Sequence, residues 1–319
     1  MIRIKINNAK SQELLEIQEI TLIKLMGAGS HGKVYLTTIT NTVIKIYDTA
    51  TGEDDVNTEY VIFKKLIEYT DKNYPTHFVK ALARGEIIKE FEFDGNRHKK
   101  DEKFILVPLY QKFYDIQTKT RRLQHTDFII DFISILLKVA VFLERQLKIV
   151  HLDIKTSNLM YDQDKELILI DLGLVETIKH GHEIYVPEKK YFIWPYDSCY
   201  LVTIPVYSIA ICVMEFFFGK LKVWQIQSLE EVKEYIDNIS RRSKSLGGIL
   251  YKMISLKYDP STVLKYIEIK YKSDLEILDK DLDIQNISAV ASRDRVKKRS
   301  LNKWFHTLIQ EGHEPPPEK

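Results

Sequence analysis

Three glycines in Gly27-Ala28-Gly29-Ser30-His31-Gly32 stand between two short apolar runs. A turn of this kind can close over a polyphosphate and offer it backbone N–H groups. It can equally be a structural hairpin, and a dinucleotide-binding loop is disfavoured because a strand, not a helix, follows at Lys33-Val34. Lys45, eleven positions after Val34, lies inside the apolar run Val43-Ile44-Lys45-Ile46. A buried ammonium is costly without a partner. Glu59, on an amphipathic segment downstream, can hold Lys45 against the α- and β-phosphates of a nucleotide. Taken alone, the pair reads more plainly as a snorkelling lysine and a solvated glutamate. The densest polar frame is His151-Leu152-Asp153-Ile154-Lys155-Thr156-Ser157-Asn158, followed thirteen positions after Asn158 by Asp171-Leu172-Gly173. An apolar run, Leu167-Ile168-Leu169-Ile170, separates the two parts.

These residues need elements to carry them. From Thr21 to Val107, short apolar runs alternate with turn signals, which predicts a small, mostly β lobe. The strand candidates are ITLIKLMG, KVYLTTI, NTVIKIY, EIIKEFEF and KFILVPLY, with a hairpin loop at Asp94-Gly95-Asn96 between the last two. Between the third and fourth, DDVNTEYVIFKKLIEY places Val56, Tyr60, Phe63 and Leu66 (or Ile67) on one helical face, with Asp54 or Asp55 as N-cap. Past Tyr110 the pattern lengthens into helices over 127–146, 206–218, 229–240 and, less sharply, 245–255. The expected layout is α+β. Residues 1–20 form an N-terminal extension and 21–107 a five-stranded antiparallel lobe with one helix. A hinge over 108–111, a larger helical lobe over 112–312 and a disordered tail over 313–319 complete it.

Composition narrows the field. A chain of 319 residues with 45% hydrophobic content can bury a large core. With 47 basic and 45 acidic side chains the formal charge is +2, so no global field points to nucleic acid or a membrane surface. The two cysteines, Cys199 and Cys212, supply neither a disulfide framework nor metal-ligand spacing. The N-terminus lacks an export signal, and the expected setting is intracellular, cytoplasm or nucleus. The apolar stretches from Phe128 and from Val206 are broken by Asp131, Lys138 and Glu215, which favours buried core helices over membrane spans.

On the frame Asp153, Lys155, Asn158 and Asp171, together with Lys45 and the glycine turn, the chain resembles the eukaryotic-type protein kinase superfamily. The resemblance covers 21–219 and implies the bilobal kinase fold, ATP and Mg²⁺ as cofactors, and protein substrates with Ser or Thr acceptors. It implies that Asp153 accepts the proton of the substrate hydroxyl, that Lys155 sits near the γ-phosphoryl group, and that Asn158 and Asp171 ligate Mg²⁺. Lys155, two positions after Asp153, matches Ser/Thr kinases and argues against small-molecule kinases. The nucleotide would be enclosed by Gly27, Ala28, Gly29, Ser30, His31, Gly32, Val34, Val43, Lys45, Glu59, Val107 as gatekeeper, Leu109 of the hinge Pro108-Leu109-Tyr110, and Met160. Phe63, Leu172 and His151 would form an apolar column between the lobes. The low-arginine, Ile- and Lys-rich composition is similar to that of kinases from AT-rich genomes, large DNA viruses among them.

Four departures stand out. Leu152 occupies a position where many regulated kinases carry arginine and cannot clamp a phosphorylated activation loop. Leu172 replaces phenylalanine. Ile193-Trp194-Pro195-Tyr196-Asp197 stands where Ala-Pro-Glu is usual, and Pro205 where an aspartate normally steadies the catalytic loop. Thr177, Tyr185 and Tyr191 are candidate phosphoacceptors; His180 and His182 read as surface residues rather than metal ligands. The basic runs over 97–103 and 293–299 read as solvated faces, which leaves nucleic-acid binding disfavoured. The main rival to an active kinase is a pseudokinase, an ATP-binding scaffold of the same fold. The chain keeps Lys45, Glu59, Asp153, Asn158 and Asp171, at one of which such scaffolds usually depart. The sequence specifies neither substrate, pathway nor oligomeric state.

Overall fold

The computed structural model describes residues 2–7, 17–29, 32–48, 59–63, 65–66, 77–80, 82–113, 126–164, 166–178, 183–184, 199–219, 223, 225–226 and 228–270. Its first part contains strands β1 (Ile2–Asn7), β2 (Ile17–Ile20), β3 (Leu22–Gly29), β4 (Gly32–Thr37), β5 (Thr42–Tyr47), β6 (Ala83–Ile87), β7 (Phe91–Phe93), β8 (Asn96–His98) and β9 (Lys103–Pro108). The strands β6-β9-β5-β4-β3 lie side by side, all antiparallel. That is the expected five-stranded sheet, compatible with a bilobal kinase-like fold. Two features differ from expectation. Within the stretch read from sequence as an N-terminal extension, β1 pairs with β6 and β2 with β1, so the sheet has seven strands. Ile2, Ile4 and Ile6 alternate with polar residues, so the period-two signal was present.

The run EIIKEFEF is two strands rather than one. β6 ends at Ile87, whose amide reaches Glu102 O and whose carbonyl takes the Asp101 amide. The chain then turns away to form the β7–β8 hairpin. Asp94 and Gly95 both have positive φ (53° and 71°), the pattern of the tight turn that matches strand twist. The hairpin is fastened to the back of the sheet by a buried polar chain: His98 bonds Tyr35 at 2.7 Å and Glu102 at 2.8 Å. Phe91 stacks on the His98 ring.

Helix α1, with described residues 59–63 and 65–66, buries Tyr60, Ile62, Phe63 and Leu66. Its Tyr60, Phe63 and Leu66 lie on the face read from sequence; Val56, Ile67 and the N-cap candidates Asp54 and Asp55 lie outside the described residues. The second part holds α2 (Thr126–Phe142), α3 (Ile204–Phe218), α4 (Leu229–Ser240), α5 (Lys244–Ile254) and α6 (260–270). α2 passes directly into a π turn, Leu143–Leu147. Ser228 caps α4 by accepting from the Glu231 amide, with the glutamate three positions on that marks a capping box. Pro205 lies in the first turn of α3, where a missing N–H costs nothing. The window Leu201–Phe218 is long and apolar enough to cross a membrane by length and composition alone, yet 72% of it is buried inside the protein. α3 is thus a core helix, packed on α2, α4 and α5.

Short strands line the junction of the two parts: β10 (Gln111–Lys112), β11 (Ile149–His151), β12 (Leu159–Tyr161), β13 (Leu167–Leu169) and β14 (Val175–Thr177). β10, β12 and β13 form one sheet, and β11 pairs with β14. The segment after α1 is tied to β13 by main-chain bonds, Val79 N–H to Leu169 O and Leu169 N–H to His77 O, both 3.0 Å. The strand leading to Asp171 is therefore bonded directly to the segment that precedes β6.

Candidate active site

β5 sets Lys45 on one face of the sheet and Ile44 and Ile46 on the other, where the two isoleucines join a buried cluster with Tyr35, Phe104 and Leu106. On the Lys45 face, Val34 and Ile105 sit directly across from Lys45, and Val107 across from Val43. Val34, Val43 and Val107 thereby share one apolar surface with the ammonium at its edge.

Lys45 Nζ lies 2.6 Å from Glu59 Oε2 and 3.6 Å from Asp171 Oδ1. Glu59 is 2% exposed, and its Oε1 accepts the Leu172 amide at 3.2 Å. One carboxylate thus joins α1, β5 and the segment after β13. Burial pulls the Lys45 pKa down, but the charges of Glu59 and then Asp171 outweigh it and hold the group above its ordinary value. The pair is not the solvated alternative that sequence left open. Beneath it lies Tyr47, 1% exposed, with its ring centroid 5.2 Å from Lys45 Nζ. Burial first, and the nearby Glu59 charge second, push this phenol well above its usual pKa. Tyr47 was not singled out from sequence; its place two positions after Lys45, hence on the same face, is the signal that could have found it.

The loop between β11 and β12 folds on itself. Residues Thr156–Asn158 make one 3₁₀ turn, closed by the Asn158 amide on Lys155 O at 2.9 Å. The Asn158 side-chain amide donates to Asp153 O at 2.9 Å and to Asp153 Oδ2 at 3.0 Å. Lys155 Nζ reaches the same Oδ2 at 2.6 Å. Both contacts fall on one carboxylate oxygen, Oδ2. The Asp153 amide donates to His151 Nδ1 at 3.1 Å. His151 is fully buried, and its Nε2 has no partner of good geometry. Burial depresses its pKa against the opposing pull of Asp153 and Asp171. Nδ1, as the acceptor of the Asp153 amide, carries no proton.

Asp171 has φ +66°, a left-handed conformation that costs a non-glycine residue about 1 kcal/mol. Its Oδ1 accepts the Gly173 amide at 3.1 Å. The preceding Ile170 amide donates to Asn158 O at 2.9 Å, which ties the Asp171 segment to the loop that carries Asn158. A divalent magnesium ion fits this donor set: with its NH₂ committed to Asp153, Asn158 presents a carbonyl oxygen, and Asp171 presents a carboxylate. Mg²⁺ characteristically takes one or two protein oxygens and completes its shell with phosphate and water. No group of three or more His, Cys, Asp or Glu side chains forms an all-protein cage among the described residues.

Gly27, Ala28 and Gly29 end β3 and Gly32 opens β4, with Gly27 opposite Val34 and Gly29 opposite Gly32. Gly32 is required sterically. At φ +149° an added Cβ would fall 2.3 Å from Ile46 O, whereas Gly27 and Gly29 have open space there. Leu109 donates its amide to Asn41 O at 2.8 Å, so it can offer a nucleotide a carbonyl or side chain but not that N–H. Pro108 has no N–H, and the Tyr110 hydroxyl accepts the Lys80 amide at 3.0 Å. Met160 lies on the side of β12 opposite the buried Leu159 and Tyr161. Phe63 and Leu172 belong to one core cluster, and His151 is buried as they are. Thr177 is exposed on β14. Ser30, His31, His180, His182, Tyr185, Tyr191, the 193–197 segment and the 293–299 run lie outside the described residues.

The arrangement brings an anchored lysine, the Asn158 and Asp171 side chains and the Asp153 carboxylate to one junction between a β-rich and a helical part, compatible with a bilobal kinase-like fold. No protein-family model matches the chain. It is similar to a probable serine/threonine-protein kinase, mkcF, of Dictyostelium discoideum, 30% identical over 95 residues, a stretch that is 28% of this chain and 14% of that protein. The similarity is partial and supports a kinase relationship.

Proposed function

We propose that this protein transfers the γ-phosphoryl group of Mg-ATP to Ser or Thr hydroxyls of protein substrates. The observation that carries this reading is the joining of Lys45, Glu59 and Asp171, drawn from three separate segments, within 2.6–3.6 Å. In this reading residues 21–107 and 112–312 are the two lobes and 108–111 the hinge. Lys45, fixed by Glu59, receives the α- and β-phosphates, and Val34, Val43, Val107 and Met160 wall the adenine. Asn158 and Asp171 would hold magnesium, which would supply neutralisation of charge on the phosphates. Asp153 orients the acceptor hydroxyl and takes its proton, while Lys155 offsets charge on the transferred group.

The test is transfer of labelled γ-phosphate from Mg-ATP to basic and acidic protein substrates by the wild type, Lys45→Met and Asp171→Asn. Transfer by the wild type, lost in both variants, supports the reading. Nucleotide binding without transfer would replace it with the scaffold, and equal transfer by the wild type and Asp171→Asn would remove the metal assignment.

A further inference from the structure

α3 is apolar throughout except for Ser208, whose hydroxyl bonds back to Ile204 O within the helix, and Glu215. Glu215 is 7% exposed, and its Oε2 accepts a 2.5 Å hydrogen bond from Thr156 Oγ1, itself 1% exposed. A carboxylate inside an apolar helix is costly, and a bond to a hydroxyl 59 positions away is an expensive way merely to close a core. One turn earlier on the same helix, Cys212 Sγ contacts Ile154 O at 3.8 Å. These two contacts fall on alternate residues of the 153–158 loop, at Ile154 and Thr156, both buried, while Asp153 and Lys155 stay partly exposed. The loop is shaped internally by local bonds among Asp153, Lys155 and Asn158 and is tied to the Asp171 segment at its end by the Ile170 amide on Asn158 O; Ile154 and Thr156 add an attachment to α3 in its middle. The aspartate that the kinase resemblance expects at the start of α3 is replaced by Pro205, which has no side-chain acceptor to offer the loop.

We infer that Thr156 and Glu215 are positioning residues for phosphoryl transfer: the buried Thr156–Glu215 bond holds the Asp153–Lys155–Asn158 loop in register with the Lys45–Asp171 side of the cleft. The inference rests on the kinase reading above. Thr156 faces away from the cleft and touches neither nucleotide nor acceptor; it acts through its neighbours. Removing its hydroxyl therefore slows transfer without weakening the grip of the first lobe on the nucleotide.

The experiment compares the wild type with Thr156→Ser, Thr156→Val and the double variant Thr156→Val/Glu215→Leu, measuring kcat, KM for ATP, the Kd of a non-hydrolysable ATP analogue and Tm. Absence of transfer by the wild type would defeat the kinase reading itself and is seen before any variant is compared. With an active wild type, Thr156→Ser keeps kcat within about threefold, because the donor is retained, and Thr156→Val lowers it by about 10- to 100-fold with KM and analogue Kd changed by no more than about twofold. The double variant replaces both partners of the Thr156–Glu215 bond with apolar groups, and its Tm returns towards the wild type because neither partner is left without the other. Its kcat stays low. Recovery of kcat together with Tm in the double variant would overturn the inference, as would a Thr156→Val enzyme of full kcat. Loss of analogue binding in parallel with kcat would assign the pair a structural role and overturn it as well.

Discussion

Glu59 accepts Lys45 on one carboxylate oxygen at 2.6 Å while its other oxygen takes the Leu172 amide at 3.2 Å. A helix, a sheet strand and the segment that follows Asp171 are therefore coupled through a single buried group. Displacement of any one of them is felt by the other two.

Replacing that group should show the coupling. Glu59→Gln keeps the shape but removes the charge that holds Lys45 above its ordinary pKa. Transfer is expected to fall about 100-fold, the scale of a misplaced reacting group, with KM for ATP raised. Steady-state kinetics check this; unchanged kcat and KM would mean that Lys45 is placed without Glu59.

Asp153→Asn removes the proposed base but can preserve hydrogen bonding within the loop. Transfer should drop about 100- to 10,000-fold with nucleotide affinity intact. Titration with a fluorescent ATP analogue beside a transfer assay separates the two quantities, and parallel losses would move Asp153 from a chemical to a structural role.

The three glycines of the first hairpin should respond differently. Gly32→Ala would press Cβ onto Ile46 O and is expected to cost about 1–3 kcal/mol of stability. Gly27→Ala and Gly29→Ala meet open space, so their denaturation midpoints should stay near the wild type while KM for ATP rises. A stability ranking with Gly32→Ala at the wild-type value would contradict the close approach of β4 to β5.

His151 makes a pH prediction. Its folded pKa is held below the ordinary 6.5 by burial, so the unfolded chain binds the proton more readily. The contribution is fully present above about pH 6.5 and is lost as pH falls towards the lower folded pKa. His151→Phe cannot titrate at this position, so the wild type should lose stability relative to it on acidification from pH 8 to pH 5. Urea midpoints for both proteins across that range test this, and parallel profiles would refute it.

Much of the site was legible because its parts are contiguous. Asp153, Lys155 and Asn158 lie within one loop and Asp171 follows after a short strand pair, so spacing alone indicates a shared junction. The period-two alternation around Lys45 likewise places Val34, Val43 and Val107 beside it once strands pair as neighbours. The Asp94-Gly95 turn was readable from local backbone chemistry. In EIIKEFEF, by contrast, no local signal marks the end of β6 at Ile87. That break depends on the closure of β6 against the segment leading into β9 at Glu102 and Asp101.

Sequence by itself determined which side chains are candidates for phosphoryl chemistry and where most of the described strands and helices run, since residue type and short-range periodicity are local properties. Tertiary structure decided the rest: that Glu59 is buried on Lys45 rather than solvated, that the first residues extend the sheet to seven strands, that Tyr47 lies under the ion pair, and that Glu215 takes Thr156. Each depends on contacts between segments distant in the chain. Whether a charged group is exposed or buried follows from the surface brought against it, and residue order along the chain does not state that surface.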